Sequence, residues 1–363
     1  MEILIYGLKE SLGGVEIVVL NYAKHLIKEN IKCVFLISDK HNTLKEKITR
    51  VGGEYITCTT RQENLREYKT RLENIFQNND FDAVWCNLSG LTNIDILKLA
   101  KNYNIPLRIC HSHTANLSHQ GFLMKFLVPF LHYKNRLFIK NYATHFWACS
   151  KKSGEFMFPK SVQNEVQIWH NAIDTDRFSK NEKLRLKSRK QLNIESNYVI
   201  GHIARICKEK NQEFLLKIFS EVLKKNKNAK LLFIGDGQDK ENLISLAKQL
   251  GIFNNVIFLG EQFETEKYYN AMDVFCLPSL YEGLGLVLIE AQSCGVPCVT
   301  SINVPKESDV TNTTQFLNFD DINGWCDALL SPKKIKNPMQ YIIKSGYDIK
   351  TQAKKMAEFL GSV

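Results

Sequence analysis

A strand, a glycine-rich turn, a helix and a second strand follow one another within residues 274–300, and this order constrains the fold more than any other feature of the sequence. The apolar runs 274–279 and 298–300 predict the two strands. Between them, Gly283 and Gly285 give a turn that leads into the apolar helical run 286–291. Such a turn opens at the carboxyl end of a parallel sheet, where α/β folds bind their ligands.

Two carboxylates lie within this unit, Glu282 in the turn and Glu290 inside the helix. The glycines let the backbone approach a ligand closely, and the first amides of the helix are unpaired donors suited to phosphate oxygens. Glu290 lies further along the helix and therefore reaches neutral hydroxyls, such as those of a sugar or a ribose. In the alternative interpretation, Glu282 is a helix-capping acid and Glu290 is a solvated helix residue.

Length and composition indicate a two-domain globular protein. A chain of 363 residues is too long for one ordinary core, and 44% hydrophobic with 24% charged residues is typical of soluble proteins. No apolar run approaches the roughly 20 residues of a membrane span, and the first residues lack the basic leader of a secretory signal. We therefore expect a cytoplasmic location. The ten scattered cysteines favour small buried hydrophobic side chains over disulfides or a zinc site.

Short apolar strands alternate with amphipathic helices through the first 170 residues, which predicts an α/β domain with a doubly wound parallel sheet. Strands are predicted at 2–6, 32–37, 82–86, 107–110 and 145–149. The pattern starts again near residue 197, with strands predicted at 198–204, 230–234, 256–259, 274–277, 297–300 and 315–319. The polar stretch 174–196 between the two halves is the expected linker.

The net charge of +10 (48 basic minus 38 acidic residues) is unevenly distributed. The segment 96–154 contains no Asp or Glu and nine Lys or Arg, and residues 121–140 interleave those cations with bulky apolar side chains. This composition is typical of a segment that lies on an anionic membrane surface. The alternative is a buried helix with a solvated basic side, and Pro129 is expected to interrupt any single long helix here. A nucleic-acid role is not expected, because no recognised nucleic-acid module is present.

The segment 281–291 resembles the Glu-x7-Glu signature of the retaining GT-B glycosyltransferases, family 4 and group 1, which include bacterial capsule and exopolysaccharide transferases. The likeness continues in order through residues 231–237, 256–260 and 269–275. It implies a GT-B fold, in which two Rossmann-like doubly wound parallel-sheet domains face each other across a cleft. Residues 1–170 then form the acceptor-binding domain and residues 171–344 the donor-binding domain, with a helix at about 345–363 packing back on the first.

The resemblance also implies which residues of the second half hold the donor. Arg205 and Lys210 match the family's Arg-x4-Lys pattern and are expected to contact the diphosphate, while Lys208 has no assigned place. Glu290 is expected on the ribose, and Glu282 near the donor sugar. The remaining donor-binding residues implied by the family are Gly235, Gly283, Leu284, Gly285 and Leu286.

Two features of the first half resemble the family's pattern more loosely. Gly13 and Gly14 follow the first strand, in the position of the family's glycine loop at the donor. His111 and His113 end a later strand, and alternation along an extended chain places both on the same side. We expect His111 to be the catalytic histidine, binding the donor sugar or positioning the acceptor, with His113 as the alternative.

The activity implied is transfer of a sugar, with retained anomeric configuration, from a nucleotide-diphosphate sugar to a saccharide or lipid-linked saccharide hydroxyl. A uridine donor is favoured, and neither a metal nor a cofactor is expected, since Arg205, Lys210 and a helix terminus neutralise the leaving group. The enzyme would lie peripherally at the inner face of the cell membrane. No carboxylate of the first half stands out as a nucleophile, which fits same-face attack through an oxocarbenium-like state.

Three other functions compete with this one. In a nicotinamide oxidoreductase, Gly235 and Gly237 would begin a Gly-x-Gly-x-x-Gly motif, but Lys240 occupies the third glycine position. A nucleotide-sugar epimerase or a phosphorylase shares the implied architecture, although the chain is short for a phosphorylase. A non-catalytic partner subunit would keep the fold without needing Arg205, Lys210, Glu282 and Glu290.

Overall fold

The computed structural model describes residues 1–9, 13–114 and 124–362, without the side chains of Met124 and Lys125. Part of the predicted glycine loop (10–12) and part of the basic segment (115–123) therefore lie outside the described residues. The chain divides into two compact units: residues 1–172 with 348–363, and residues 173–347. The boundaries predicted from the sequence were 170/171 and 344/345.

The first unit alternates strands and helices almost throughout. Its elements are β1 (Glu2–Tyr6), α1 (Gly14–Lys28), β2 (Lys32–Ser38), α2 (Asn42–Arg50), β3 (Glu54–Cys58), α3 (Leu65–Gln77), β4 (Ala83–Leu88), α4 (Asp95–Asn102), β5 (Leu107–Ser112), α5 (Met124–Phe138), β6 (His145–Ala148), α6 (Lys151–Met157) and β7 (Val166–Ile168).

These seven strands pair in parallel in the order β3-β2-β1-β4-β5-β6-β7 within the described residues. The order reverses between β1 and β4, so the loops after these two strands flank the switch point at which α/β sheets bind ligands. The central strands β4 and β5 are buried almost throughout, and their polar residues Asn87, His111 and Ser112 lie toward the carboxyl ends of the strands.

The second unit repeats this plan and is followed by the last helix of the chain. Its elements are α7 (Glu182–Gln191), β8 (Tyr198–Ile203), α8 (Gln212–Lys225), β9 (Ala229–Ile234), α9 (Lys240–Gln249), β10 (Val256–Phe258), α10 (Glu266–Ala271), β11 (Val274–Leu277), α11 (Leu286–Ser293), β12 (Cys298–Ser301), β13 (Gln315–Leu317), α12 (Ile322–Leu330) and α13 (Pro338–Lys344). Helix α14 (Ile349–Gly361) belongs to the first unit, where it packs on α1.

The second sheet is also parallel, with the order β10-β9-β8-β11-β12-β13, and its switch point lies between β8 and β11. Alternate residues of β9 belong to different apolar clusters: Leu232 and Ile234 to one, Leu231 and Phe233 to the other. Because successive strand residues point to opposite faces, helices cover this sheet on both sides. The prediction of two doubly wound parallel-sheet domains is therefore confirmed.

Two local predictions need correction and one is confirmed. The stretch 174–196 is not a free linker, because it contains α7, which packs on α10 within the second unit. Pro129 does not interrupt α5, which runs from Met124 to Phe138 with the proline inside it. This proline lies in the second turn, where it removes one backbone donor without ending the helix. All ten cysteines are free and buried, as their strand-like settings predicted.

Candidate functional site

The loops that follow β8 and β11 lie next to each other at the switch point of the second sheet. The loop after β8 carries Arg205 and Lys210, and the loop after β11 carries Glu282, Gly283 and Gly285. A backbone hydrogen bond joins the two loops, because the Leu280 N–H donates to the Glu209 carbonyl over 2.8 Å. The fold thus gathers the predicted cations and one predicted acid at the edge where α/β sheets bind ligands.

Lys210 and Glu282 form an ion pair. The Nζ of Lys210 lies 2.6 Å from Oε1 of Glu282, and the buried Ser279 hydroxyl donates to the same oxygen over 2.7 Å. The Glu282 side chain is only 9% exposed, against 23% for Lys210. A carboxylate this buried needs its charged partner, and the partner in turn holds its ammonium group at the loop surface. Arg205, five positions earlier, is exposed.

A buried polar network fixes the backbone beside Arg205. The side-chain amide of Gln212 donates to the Arg205 carbonyl over 3.0 Å and lies 3.1 Å from Nε2 of His202. Nδ1 of His202 lies 2.8 Å from the Cys276 carbonyl on β11. Burial lowers the pKa of His202 to about 4, so the ring is neutral and donates through Nδ1. These two residues, which the sequence did not indicate, tie the loop after β8 to the neighbouring strand.

Gly235 is required by close packing between loops. Its φ is +131°, and a Cβ at this position would lie 2.0 Å from the Ala204 carbonyl oxygen. The Gly235 N–H donates to the Gly260 carbonyl over 2.8 Å, and the Ile206 N–H donates to the Asp236 carbonyl over 2.8 Å. The loops after β8, β9 and β10 are therefore connected through their backbones. This packing explains the glycine, and its predicted contact with a donor stays a prediction.

Helix α11 begins directly after the glycine turn. Gly285 has a φ of +81° and caps the helix, and its carbonyl accepts a hydrogen bond from the Leu288 N–H over 2.9 Å. Gly283 has open space where a Cβ would be. Leu284 and Leu286 pack against the apolar cluster beneath the turn. The turn is therefore open at Gly283 and is anchored beneath by its two leucines.

Glu290 is partly buried in the second turn of α11, where it meets Tyr269 of α10. The Tyr269 hydroxyl donates to Oε2 of Glu290 over 2.7 Å. Burial raises the pKa of the Glu290 carboxyl to about 7, although the hydrogen bond from Tyr269 and the charge of Arg177 act in the opposite direction. Tyr269 belongs to the stretch 269–275 that resembles the family, but no sequence pattern indicates its contact with Glu290.

In the first unit, the glycine loop is held by an acid that the sequence did not single out. Both carboxylate oxygens of the buried Glu16 accept backbone hydrogen bonds, from Lys9 over 3.1 Å and from Gly13 over 2.9 Å. Gly13 and Gly14 are exposed, and a Cβ on Gly14 would meet nothing within 4 Å. Glu16 thus joins the backbone of Lys9 to that of Gly13, and the two glycines stay accessible.

The two histidines predicted for catalysis lie side by side, with ring centroids 4.1 Å apart. His111 is fully buried, with Nδ1 accepting a hydrogen bond from the indole of Trp85 over 3.2 Å and with Trp147 packed edge-on. The choice of His111 as the catalytic histidine stays a prediction, and its burial favours the alternative, His113, because alternation indicates the side of the strand but not the depth. His113 follows the end of β5 and is 9% exposed.

His113 is positioned by two asparagines. Its Nε2 lies 2.8 Å from Oδ1 of Asn87, and its Nδ1 lies 3.1 Å from Oδ1 of Asn171. Burial lowers the pKa of the ring to about 4, so at neutral pH it carries one N–H. The side-chain amide N–H groups of Asn87 donate to the carbonyls of Tyr6 and Trp85. The Oδ1 of Asn87 therefore accepts a hydrogen bond from Nε2 of His113.

We expect acid to destabilise this protein through its buried neutral rings. Burial lowers the pKa of His111 well below its usual value, and those of His113 and His202 to about 4. An unfolded histidine binds its proton near pH 6.5, so the unfolded state gains protons first and stability falls as pH drops from about 6.5 toward 4, by about 2–3 kcal/mol per ring. Urea unfolding at neutral and mildly acidic pH measures this loss in the free energy of unfolding. The variant His113→Gln should show a shallower pH dependence, and an unchanged dependence would contradict the account.

Helix α5 presents a row of large exposed apolar side chains. The α5 apolar face consists of Phe126, Phe130, Tyr133 and Leu137, which are 69%, 63%, 55% and 73% exposed. Their spacing of four, three and four residues places them on one side of the helix.

The opposite side of α5 is anchored on the loop after β4. Nδ1 of His132 accepts from the Leu91 N–H over 3.1 Å, and the Asn135 amide donates to the Leu91 carbonyl over 2.6 Å.

The cations of the segment 96–154 are only partly available to a surface partner. Arg108 donates to the carbonyls of Tyr142 and Ile105, and Arg136 donates to those of Glu155 and Phe158. Lys140 and Lys151 pair with Glu165 and Glu155. Lys134 and Lys152 are exposed, and Lys134 lies beside the α5 apolar face. Within the described residues, no helix is long and apolar enough to span a bilayer.

Comparisons with known proteins match both halves of the chain to glycosyltransferases. Residues 12–177 match the family described as Glycosyltransferase Family 4, and residues 185–357 match Glycosyl transferases group 1. The chain is 29% identical to the putative glycosyltransferase EpsF of Bacillus subtilis (strain 168), covering 93% of this chain and 90% of EpsF. It is 25% identical to the O-antigen biosynthesis glycosyltransferase WclY of Escherichia coli, covering 94% of this chain and 86% of WclY.

A solved structure agrees with these matches at the level of the fold. The crystal structure of Anabaena HepE in complex with UDP has a TM-score of 0.80 and 18% identity, and each chain is covered completely. The chain has two parallel-sheet units, and one glycosyltransferase family model matches each of them. Together these observations establish the GT-B architecture. The chain is therefore a glycosyltransferase of the GT-B fold, in which a family 4 domain precedes a group 1 domain.

Proposed function

We propose that this protein is a retaining glycosyltransferase that moves a sugar from a uridine-diphosphate sugar to a hydroxyl of a lipid-linked saccharide, during assembly of a bacterial surface polysaccharide. One observation carries the proposal: the loops at the second switch point bring Arg205, Lys210, Glu282 and the amino end of α11 to one sheet edge. The name of WclY, an O-antigen biosynthesis glycosyltransferase, and the UDP bound to HepE support the substrate class.

The diphosphate of the donor binds at Arg205, Lys210 and the backbone amides of 283–286. A guanidinium group binds phosphate through two parallel hydrogen bonds, and the ammonium group supplies a compact charge beside it. Lys210 shares its charge between Glu282 and the phosphate, and Gly283 lets the backbone approach the ligand. These groups neutralise the leaving diphosphate, so the transfer proceeds without a metal or another cofactor.

The sugar is transferred by same-face attack. The bond between the anomeric carbon and the β-phosphate oxygen breaks first, which gives an oxocarbenium-like state. The acceptor oxygen then bonds to the anomeric carbon on the same face, and its proton passes to the departing phosphate oxygen. Glu290 accepts hydrogen bonds from the ribose, Glu282 lies near the donor sugar, and His113 replaces His111 as the histidine proposed to lie near the substrates.

The enzyme binds the inner surface of the membrane through α5, and the lipid-linked acceptor lies in the same membrane. The α5 apolar face is held outward by the anchoring of His132 and Asn135 on Leu91, and no acidic residue occurs in the segment 96–154. An exposed apolar row beside basic residues fits the interface of an anionic bilayer. Enzyme bound there meets an acceptor that does not leave the membrane.

A screen of nucleotide sugars tests the proposed activity. We expect UDP to raise the unfolding temperature, with little effect of GDP or nicotinamide dinucleotide, and UDP-sugars to be slowly hydrolysed. Nuclear magnetic resonance of the glycosylated acceptor should show that the transferred sugar has the same anomeric configuration as it had in the donor. An inverted product would contradict retention. Conversion of the donor sugar without any acceptor would favour an epimerase, and the absence of binding and turnover would favour a non-catalytic subunit.

A further inference from the structure

Tyr269 and Glu290 form a buried pair that the transfer mechanism does not by itself explain. Tyr269 is fully buried on α10, and its ring packs edge-on against Phe178 and Phe275, with centroids 5.9 Å and 5.6 Å away. Two aromatic neighbours of this kind fix the direction of the phenol. Its hydroxyl therefore meets Oε2 of Glu290, at 2.7 Å, in one orientation.

Because of this contact, the two carboxylate oxygens of Glu290 have different roles. Oε2 is occupied by the Tyr269 hydroxyl, which leaves Oε1 to accept a hydrogen bond from a ligand hydroxyl. A phenol donates to an ionised carboxylate more strongly than to a neutral acid, so the contact also favours the charged form. Orientation and ionisation of Glu290 thus depend on the same oxygen atom of Tyr269.

On the basis of the proposed function, we propose that Tyr269 is a positioning residue that favours the ionised form of Glu290 and directs its second oxygen to the ribose of the donor, so that donor affinity rises with pH through the neutral range. Tyr269 itself does not contact the donor in this scheme.

The other charged and titratable groups around Glu290 do not replace this contact. Burial raises the pKa of Glu290 to about 7, Arg177 acts to lower it and Glu266 to raise it. Arg177 is already paired with Glu266 over 2.7 Å, so much of its charge is compensated. Cys294, at the end of α11, is a thiol whose pKa burial raises well above its usual value, so it is neutral. Tyr269 remains the neighbour that donates a hydrogen bond to the carboxylate.

The test compares the pH dependence of the donor KM in four proteins: the unaltered enzyme, Tyr269→Phe, Glu290→Gln and the double variant. Below its pKa, Glu290 is protonated and loses its accepting charge, so the KM should fall as pH rises through about 7. Tyr269→Phe should move the midpoint upward by about one pH unit and raise the KM at neutral pH about 10-fold, with kcat nearly unchanged.

Two comparisons separate this effect from general damage. In Glu290→Gln the KM should not vary with pH in this range, and adding Tyr269→Phe should change it little further. The matched control is Tyr268→Phe, which removes a hydroxyl from the preceding residue of α10, where it donates to Oε1 of Gln262 over 2.9 Å. This control should keep both the midpoint and the KM of the unaltered enzyme.

The outcomes distinguish this inference from the proposed function. If the unaltered enzyme neither binds nor turns over any nucleotide sugar, the proposed function fails. If it does so and Tyr269→Phe shows the same midpoint and KM, the inference about Tyr269 is overturned alone. Should Tyr269→Phe not fold, difference infrared spectroscopy of the unaltered enzyme against Glu290→Gln reports the carboxyl directly. Titration of that signal near pH 7 supports the inference, and titration near the usual value of a glutamate overturns it.

Discussion

Replacing Arg205 and Lys210 together by alanine is expected to lower kcat/KM for the nucleotide sugar about 1,000-fold or more. Each side chain supplies charge-assisted hydrogen bonds to a diphosphate that becomes more negative as it departs, and losing both removes roughly 4 kcal/mol of transition-state stabilisation. Steady-state kinetics with a UDP-sugar measure the loss. The effect should appear in kcat as well as in KM, because the charge to be stabilised develops during the reaction.

The chain contains a matched control for this experiment. Lys208 lies between the two cations in the same loop and is exposed, so Lys208→Ala changes the net charge of the loop without removing a predicted donor contact. It should retain activity to within about threefold. Lys210→Ala also leaves the buried Glu282 unpaired, so its unfolding temperature is measured alongside. Similar kinetics in the double variant and in Lys208→Ala would contradict the site assignment.

The second large effect is expected on membrane binding. The triple variant Phe126→Glu, Phe130→Glu and Leu137→Glu should bind vesicles of phosphatidylcholine and phosphatidylglycerol about 100-fold or more weakly than the unaltered protein. Each replacement removes a large apolar side chain that is more than half exposed and adds a negative charge that an anionic surface repels. Vesicle flotation or sedimentation measures the bound fraction.

Leu186 provides the control for a non-specific effect of charge on an exposed apolar residue. It is 64% exposed on α7 in the second unit, and Leu186→Glu should leave vesicle binding unchanged. Binding of the unaltered protein should weaken when the phosphatidylglycerol is replaced by phosphatidylcholine or when salt is raised, since part of the attraction is electrostatic. Equal binding of the triple variant and Leu186→Glu would show that α5 is not the membrane contact.

Much of the fold could be predicted from the sequence, because the central strands of a parallel sheet are buried on both faces and are therefore largely apolar. β4, β5, β8 and β11 were predicted for this reason. β3 and β7 were missed: they lie at the edges of the first sheet, and their residues are largely exposed or only partly buried. A three-residue edge strand such as Val166–Ile168 has too few residues for a periodic pattern.

The candidate site shows a similar division. Arg205, Lys210, Glu282 and Glu290 could be proposed from the sequence because their spacing relative to strands and glycines is a local property. The residues that position them could not, since Tyr269 and Gln212 meet their partners only after distant segments pack together. His111 shows the same limit, because alternation gave its side of the strand while the covering of Trp85 and Trp147 determined its burial.

Binding of UDP measured by isothermal titration calorimetry is the most direct test of the claim that Arg205 and Lys210 hold a nucleotide diphosphate. The unaltered protein and Lys208→Ala should each bind one UDP per chain, with an affinity that falls as salt is raised. The Arg205→Ala, Lys210→Ala variant should lose about 100-fold or more of that affinity while keeping its folded structure. Equal affinity of this variant and the unaltered protein for UDP would contradict the account.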